Sequence, residues 1–188
     1  MSIQFDKVQP KTKEQLKQLI NYAFKHNIYD LNFIDTSKIT DMSWLFGNVK
    51  HNFDISSWDV SKVTDMRHMF RLCKNFDCDL SNWNMANVKT TRYMFSGCES
   101  FEGKGLENWD VSKVTDMTSM FAFCNKLDCD LSNWDVSNVT CMCFMFGHCK
   151  QFNCYLSQWN VSKVKDMKDM FAGCNRLTIP DWYKKHIK

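Results

Sequence analysis

The chain has 188 residues, 44% of them apolar, with 24 Lys and Arg against 21 Asp and Glu for a net charge of +3. That is room for one domain with a core. No run approaches 18 consecutive apolar residues, so no membrane insertion is expected, and the charge is too mild to imply nucleic-acid binding by itself.

Met1 to Lys13 is polar and lacks the apolar stretch of a secretion signal, so a cytoplasmic location is the default. Thr12-Lys13-Glu14-Gln15 is a capping-box pattern that opens a helix. Leu16, Leu19, Ile20, Ala23 and Phe24 form the apolar stripe of that helix. Residues 1–30 are therefore expected to be an N-terminal cap, its stripe covering the open edge of the first unit of a repeat that begins at residue 31.

In that repeat, Trp58, Trp83, Trp109, Trp134 and Trp159 are spaced 25, 26, 25 and 25 apart. The same register carries Met69-Phe70, Met94-Phe95, Met120-Phe121, Met145-Phe146 and Met170-Phe171, then Cys73, Cys98, Cys124, Cys149 and Cys174. A weaker copy begins at Leu31, with Ile34 in the Trp position and Leu45-Phe46 in the Met-Phe position. A period near 25 signals stacked units, since one unit cannot bury its own apolar face. The Leu-x-x-Trp-x-Val half (Leu131, Trp134, Val136) predicts a strand pairing in parallel with its copies, although a strand at Phe76 to Leu80 fits the periodicity as well. In the other half, Met66, Met69, Phe70 and Cys73 lie at i, i+3, i+4 and i+7. That spacing predicts a short helix, capped by Thr64 and partly 3₁₀. The expected fold is an α/β solenoid over residues 31–176: a right-handed coil like a leucine-rich repeat, with a parallel sheet of about six strands and short helices opposite. Residues 177–188 break the period. Pro180 stops strand addition, Trp182 and Tyr183 can cover the last core layer, and Lys184, Lys185, His186 and Lys188 keep the tip soluble.

The recurring unit W-D-V-S-x-V-T-D-M-x-x-M-F-x-x-C, followed by D-L-S-x-W, resembles the BspA-like leucine-rich-repeat family over roughly residues 31–176. The resemblance implies a curved solenoid used for protein contacts. Many members of that family are bacterial surface proteins linked to adhesion.

The five register cysteines are expected to be buried free thiols that act as small apolar residues, because stacked side chains keep their Cβ atoms too far apart to bridge. Cys78, Cys129 and Cys154 form a second, incomplete ladder, in which Cys129 and Cys154 could pair if oxidised. Cys141 and Cys143 could offer two ligands to zinc but lack a second CxxC or His pair. The five His belong to no catalytic motif, and Asp77, Asp79, Asp128 and Asp130 read as turn formers. No cofactor and no metal are expected. The five Trp are core, their indole N–H groups in need of neighbouring carbonyls.

Two faces can bind. The strand face shows Ser56, Ser57 and Asp59, then Ser81, Asn82 and Asn84, and their counterparts up to Asn160; with Lys38, Lys62, Lys113 and Lys163 it reads as a charge-balanced, solvated ladder. The helix face points His68, Thr118, Ser119, Cys143, His148, Lys168 and Asp169 outward. It also gives a candidate partner-binding patch: Phe123 and Phe144 beside Arg67, Arg71, Arg92 and Tyr93. The leading expectation is a monomeric, non-catalytic protein-interaction scaffold for an unidentified protein partner. The alternatives are an adhesin that binds matrix protein or carbohydrate through the polar face, and a cysteine-based redox or zinc-binding protein.

Overall fold

The structure, a computed structural model, describes residues 7–186. Met1–Asp6, Ile187 and Lys188, part of the expected caps, lie outside them. Helix α1 (Lys13–Lys25) opens the fold: the Thr12 hydroxyl accepts the Gln15 N–H, and the Gln15 side chain accepts the Lys11 N–H rather than that of Thr12. Leu16, Ile20 and Ala23 are buried, while Leu19 and Phe24 pack at the rim. The Phe24 ring lies 6.3 Å from Phe46 and 5.7 Å from Phe53, so the helix does seat on the first repeat.

The repeats stack as flat layers in register. Single parallel bridges join Asp41 to Asp65, then Thr90, Asp116, Cys141 and Asp166 in turn. Among the described residues there is no sheet and no extended strand: regular structure is limited to α1, one 3₁₀ turn (Leu106–Asn108) and helix α2 (Asp181–His186). The expected parallel sheet of six strands and the helices facing it are therefore wrong, and with them the α/β solenoid assignment.

The physical reason is a run of tight turns. Where the strand was expected, Trp134 N–H bonds the Leu131 carbonyl and Val139 N–H the Val136 carbonyl, each closing a four-residue turn. Asp or Asn side chains hold the corners. Asp130, Asp135 and Asp110 accept the backbone N–H of the residue two positions on, at 2.9, 3.0 and 3.0 Å. Such side chains offer the backbone an alternative to a strand ladder.

Where the helix was expected, the chain makes consecutive turns with a left-handed third residue. Met69 N–H bonds Met66 O across His68 (φ 58°), and Cys73 N–H bonds Phe70 O across Leu72 (φ 62°). The alternate N–H groups, of Met66, His68, Phe70 and Leu72, donate to Thr90, Arg92, Met94 and Ser96 in the next layer. Every second amide thus closes a turn and the others tie layers together, which leaves none for an i→i−4 helix. The apolar spacing of i, i+3, i+4 and i+7 serves this chain of turns as well as it would a helix.

The core follows the expected register. Trp83, Trp109 and Trp134 stack nearly parallel with centroids 6.3 and 6.4 Å apart. Phe46, Phe70, Phe95, Phe121, Phe146 and Phe171 form a second column at 5.2–5.8 Å. Each indole N–H donates one layer back, as Trp109 does to Leu80 O at 3.2 Å and Trp134 to Leu106 O at 2.8 Å. This satisfies a polar group that burial would otherwise leave unpaired. Each column thiol does likewise, Cys98 to Phe70 O and Cys124 to Phe95 O at 3.1 Å.

One layer carries the extra residue behind the spacing of 26. The chain absorbs it at Glu102–Asn108, through the 3₁₀ turn and two left-handed glycines, Gly103 (φ 90°) and Gly105 (φ 92°). A Cβ on Gly105 would run into the Ser81 backbone, so only glycine fits there. At the far end Trp182 bonds Leu156 O at 2.9 Å, continuing the indole pattern from within α2, and Tyr183 packs edge-on against Phe171 at 5.0 Å.

Candidate functional site

The turn chain builds an outer surface as regular as the core. The residue before each Met-Phe pair has positive φ: Trp44, His68, Tyr93, Ser119, Phe144 and Asp169. Four residues on, a second left-handed column runs through Asn48, Leu72, Gly97, Phe123, His148 and Gly173. Positive φ is uncommon for such side chains, and here the interlayer hydrogen bonds impose it.

In the first column Trp44 stacks on His68 (centroids 4.0 Å, planes 10° apart), and His68 on Tyr93 (4.8 Å, 11°). Trp44 is 50% exposed. The Arg71 guanidinium lies 5.7 Å from both the Trp44 and Tyr93 centroids, and Arg92 lies 5.2 Å from Tyr93. Arg67 forms a fork with Asp65 at 2.6–3.0 Å, and Arg92 reaches Asp116 at 3.5 Å. Ser43, Trp44, Arg67, His68 and Arg92 line a shallow cavity of about 190 Å³. Burial lowers the pKa of His68, and Arg71, Arg92 and Arg67 lower it further against a weaker opposing pull from Asp65, so the local field is positive. The His68 Nδ1 atom is buried without a hydrogen-bond partner.

Arg67, Arg71, Arg92 and Tyr93, four of the six expected partner-binding residues, thus come together. Phe123 and Phe144 form a separate cluster, 5.8 Å from each other and joined by His148, which stacks on Phe123 at 4.9 Å. Among the described residues no ring or cation contact bridges the two groups. Two expected outward residues, Thr118 and Ser119, are buried. Trp44 was missed and His68 was not placed in the patch, though the position before each Met-Phe pair identifies both.

On the polar face the side chains bond one another and the backbone. Lys113 reaches Asn87 at 3.0 Å and Lys163 reaches Asn138 at 2.7 Å, while Asn87 and Asn138 bond Ser61 O and Ser112 O in the layer before. The carboxylates are committed to corners, and the Ser61 and Ser112 hydrogen bonds hold Asp59 and Asp110 below the ordinary carboxylate range.

The column thiols Cys98, Cys124 and Cys149 are pushed well above the usual range, first by burial, and Cys73 and Cys174 are pushed up to about 11. In the second ladder Cys78 is pushed to about 12 and Cys154 to about 11, again chiefly by burial, and the side chain of Cys129 fills the space left by Gly103. Cys141 accepts a hydrogen bond from the Thr118 hydroxyl at 3.0 Å. Among the described residues no group of three His, Cys, Asp or Glu is arranged to hold a metal ion, and no helix is long and apolar enough to cross a membrane.

No curated protein and no solved structure matches the chain. Two overlapping stretches, residues 14–105 and 99–188, each match one family, and together they span almost the whole sequence. The chain belongs to the family described as "Mycoplasma protein of unknown function, DUF285".

Proposed function

We propose that this chain is a non-catalytic protein-interaction scaffold of the BspA-like surface-protein type, binding a partner protein along the outer face of its stacked layers. The observation that carries this reading is the outer aromatic column Trp44–His68–Tyr93, exposed at Trp44 and partly buried at His68 and Tyr93, held by an over-determined backbone and flanked by three arginines. Trp, Tyr and Arg are the residues most enriched at interface hot spots. A surface already fixed before binding loses little ordering entropy when a partner arrives. The polar face supports binding less well, because Asp110, Asp135 and Asn138 on it are engaged with the chain's own backbone.

Cross-linked capture from cells of the source organism tests this. Substituting Trp44→Ala with Tyr93→Ala is expected to abolish recovery of the partner, whereas Asn108→Ala, Asn133→Ala and Gln158→Ala on the polar face leave it unchanged. The opposite pattern would favour an adhesin that uses the polar face. Thiol titration of the native protein addresses the cysteine-based reading. Since the thiolate is the reactive form, Cys98, Cys124 and Cys149 are expected to stay silent until the chain is unfolded. Fast native labelling of all ten cysteines would overturn the assignment of those three to the core.

A further inference from the structure

The arginines around the aromatic column are not equivalent. Arg67 is matched by Asp65 and Arg92 by Asp116, but Arg71 makes no ion pair among the described residues; its guanidinium rests on aromatic rings. Arg71 is half-buried, so its charge is partly desolvated and held in place. A guanidinium over aromatic faces keeps its N–H fork free for a carboxylate.

We infer that the partner presents an acidic peptide segment to this patch, with one carboxylate paired to Arg71 and a neighbouring apolar side chain set against the exposed edge of Trp44. This rests on the interaction reading above and names the chemistry of the partner. Charge complementarity selects the occupant. The positive field falls where three cations meet, while Asp65 and Asp116 lie within the same patch. A densely charged polyanion would meet those two carboxylates along its length. A peptide with spaced carboxylates and apolar residues between them avoids both and uses the rings.

The test is fluorescence-anisotropy titration with a labelled, end-blocked peptide alternating Glu and Leu, against the same peptide with Gln for Glu. The Glu peptide is expected to bind in a salt-sensitive manner, the Gln peptide about tenfold or more weaker, and Arg71→Gln to reduce Glu-peptide affinity by a similar factor. Lys165→Gln, at an exposed lysine away from the patch, is expected to leave affinity unchanged and controls for net charge. Equal affinity for the Glu and Gln peptides would overturn the inference. So would an Arg71→Gln variant that melts like the parent and binds like it. A sulfated polysaccharide that binds more tightly than the Glu peptide and depends on Arg71 would assign the patch to a different occupant and overturn it too. If the peptide fails while Trp44→Ala with Tyr93→Ala still abolishes capture, the acidic-peptide inference falls and the scaffold reading stands.

Discussion

The inner and outer columns of this molecule obey different rules although the same turns build both. Inside, five successive layers place Trp, Phe and Cys at the same stations: the Phe rings stack from layer to layer, Trp83, Trp109 and Trp134 do the same, and each Cys donates to a Phe carbonyl one layer back. Outside, the column before Met-Phe reads Trp, His, Tyr, Ser, Phe, Asp. The backbone conformation is the same at all six positions, with φ between 52° and 58°. The layers therefore do not require a particular side chain there. What the core demands is uniform, and what the surface carries is free to vary, so the distinctive chemistry of the chain lies on the outer columns.

The comparison breaks most severely if an inner residue proves dispensable. Trp109→Ala removes an indole sandwiched between Trp83 and Trp134, together with its hydrogen bond to the Leu80 carbonyl. It is expected to cost about 3–5 kcal/mol, read as a lowered denaturant midpoint. A smaller loss, about 1–3 kcal/mol, is expected for Gly105→Ala. There the added Cβ meets the Ser81 backbone and φ is 92°. Thermal melting at matched concentration measures it. An unchanged melt would mean that the extra residue of that layer is taken up elsewhere.

The same contrast explains what could be read from the sequence. Trp, Met-Phe and Cys recur because each must match its neighbours, so period, register, burial and the helical N-terminal cap were all legible. The local conformation was not. Met66, Met69, Phe70 and Cys73 are spaced for a helix, and only interlayer hydrogen bonds force left-handed geometry on His68 and Leu72. No glycine marks the His68 station in any layer, whereas Gly97 and Gly173 do mark the Leu72 station. The best sequence signal was the Asp, Asn or Thr two residues before a corner amide, as in Asp130–Ser132, which argues for turns over strands. In the candidate site the arginines were legible as outward residues. Trp44 was hidden because the first copy of the repeat is weak, with Ile34 in the Trp station.

Acid sharpens the comparison at the corners. Asp59, Asp110 and Asp135 share one register position, and each carboxylate is held below its ordinary range, first by hydrogen bonds from the serine two residues on. A lowered folded-state pKa stabilises the fold above the unfolded value near 4, and the contribution is lost as pH falls through the folded value. The melting temperature is therefore expected to drop below about pH 4. Asn84 and Asn160 already occupy the same position and accept the same corner amide, at 3.1 and 3.2 Å. Asp59→Asn, Asp110→Asn and Asp135→Asn combined should thus fold normally and show a shallower acid slope. A slope identical to the parent would place the acid-sensitive groups elsewhere, with Asp79, held near 2 first by Lys104, as the next to test.

The smallest expected effect on stability is at the outer column, and it is the most informative. Tyr93→Ser copies Ser119, which already sits one layer on at φ 52°. The substitution loses the stack on His68 and the contacts with Arg71 and Arg92, all on the surface. Their combined worth is about 1 kcal/mol or less, so the melting curve should hardly move. Partner capture should nonetheless fall sharply, because the aromatic column is interrupted and Arg71 loses one of its two rings. Loss of stability comparable to Trp109→Ala would show that Tyr93 serves the fold. Stability and capture both unchanged would leave the outer column without a role in binding and shift attention to Phe123, Phe144 and His148.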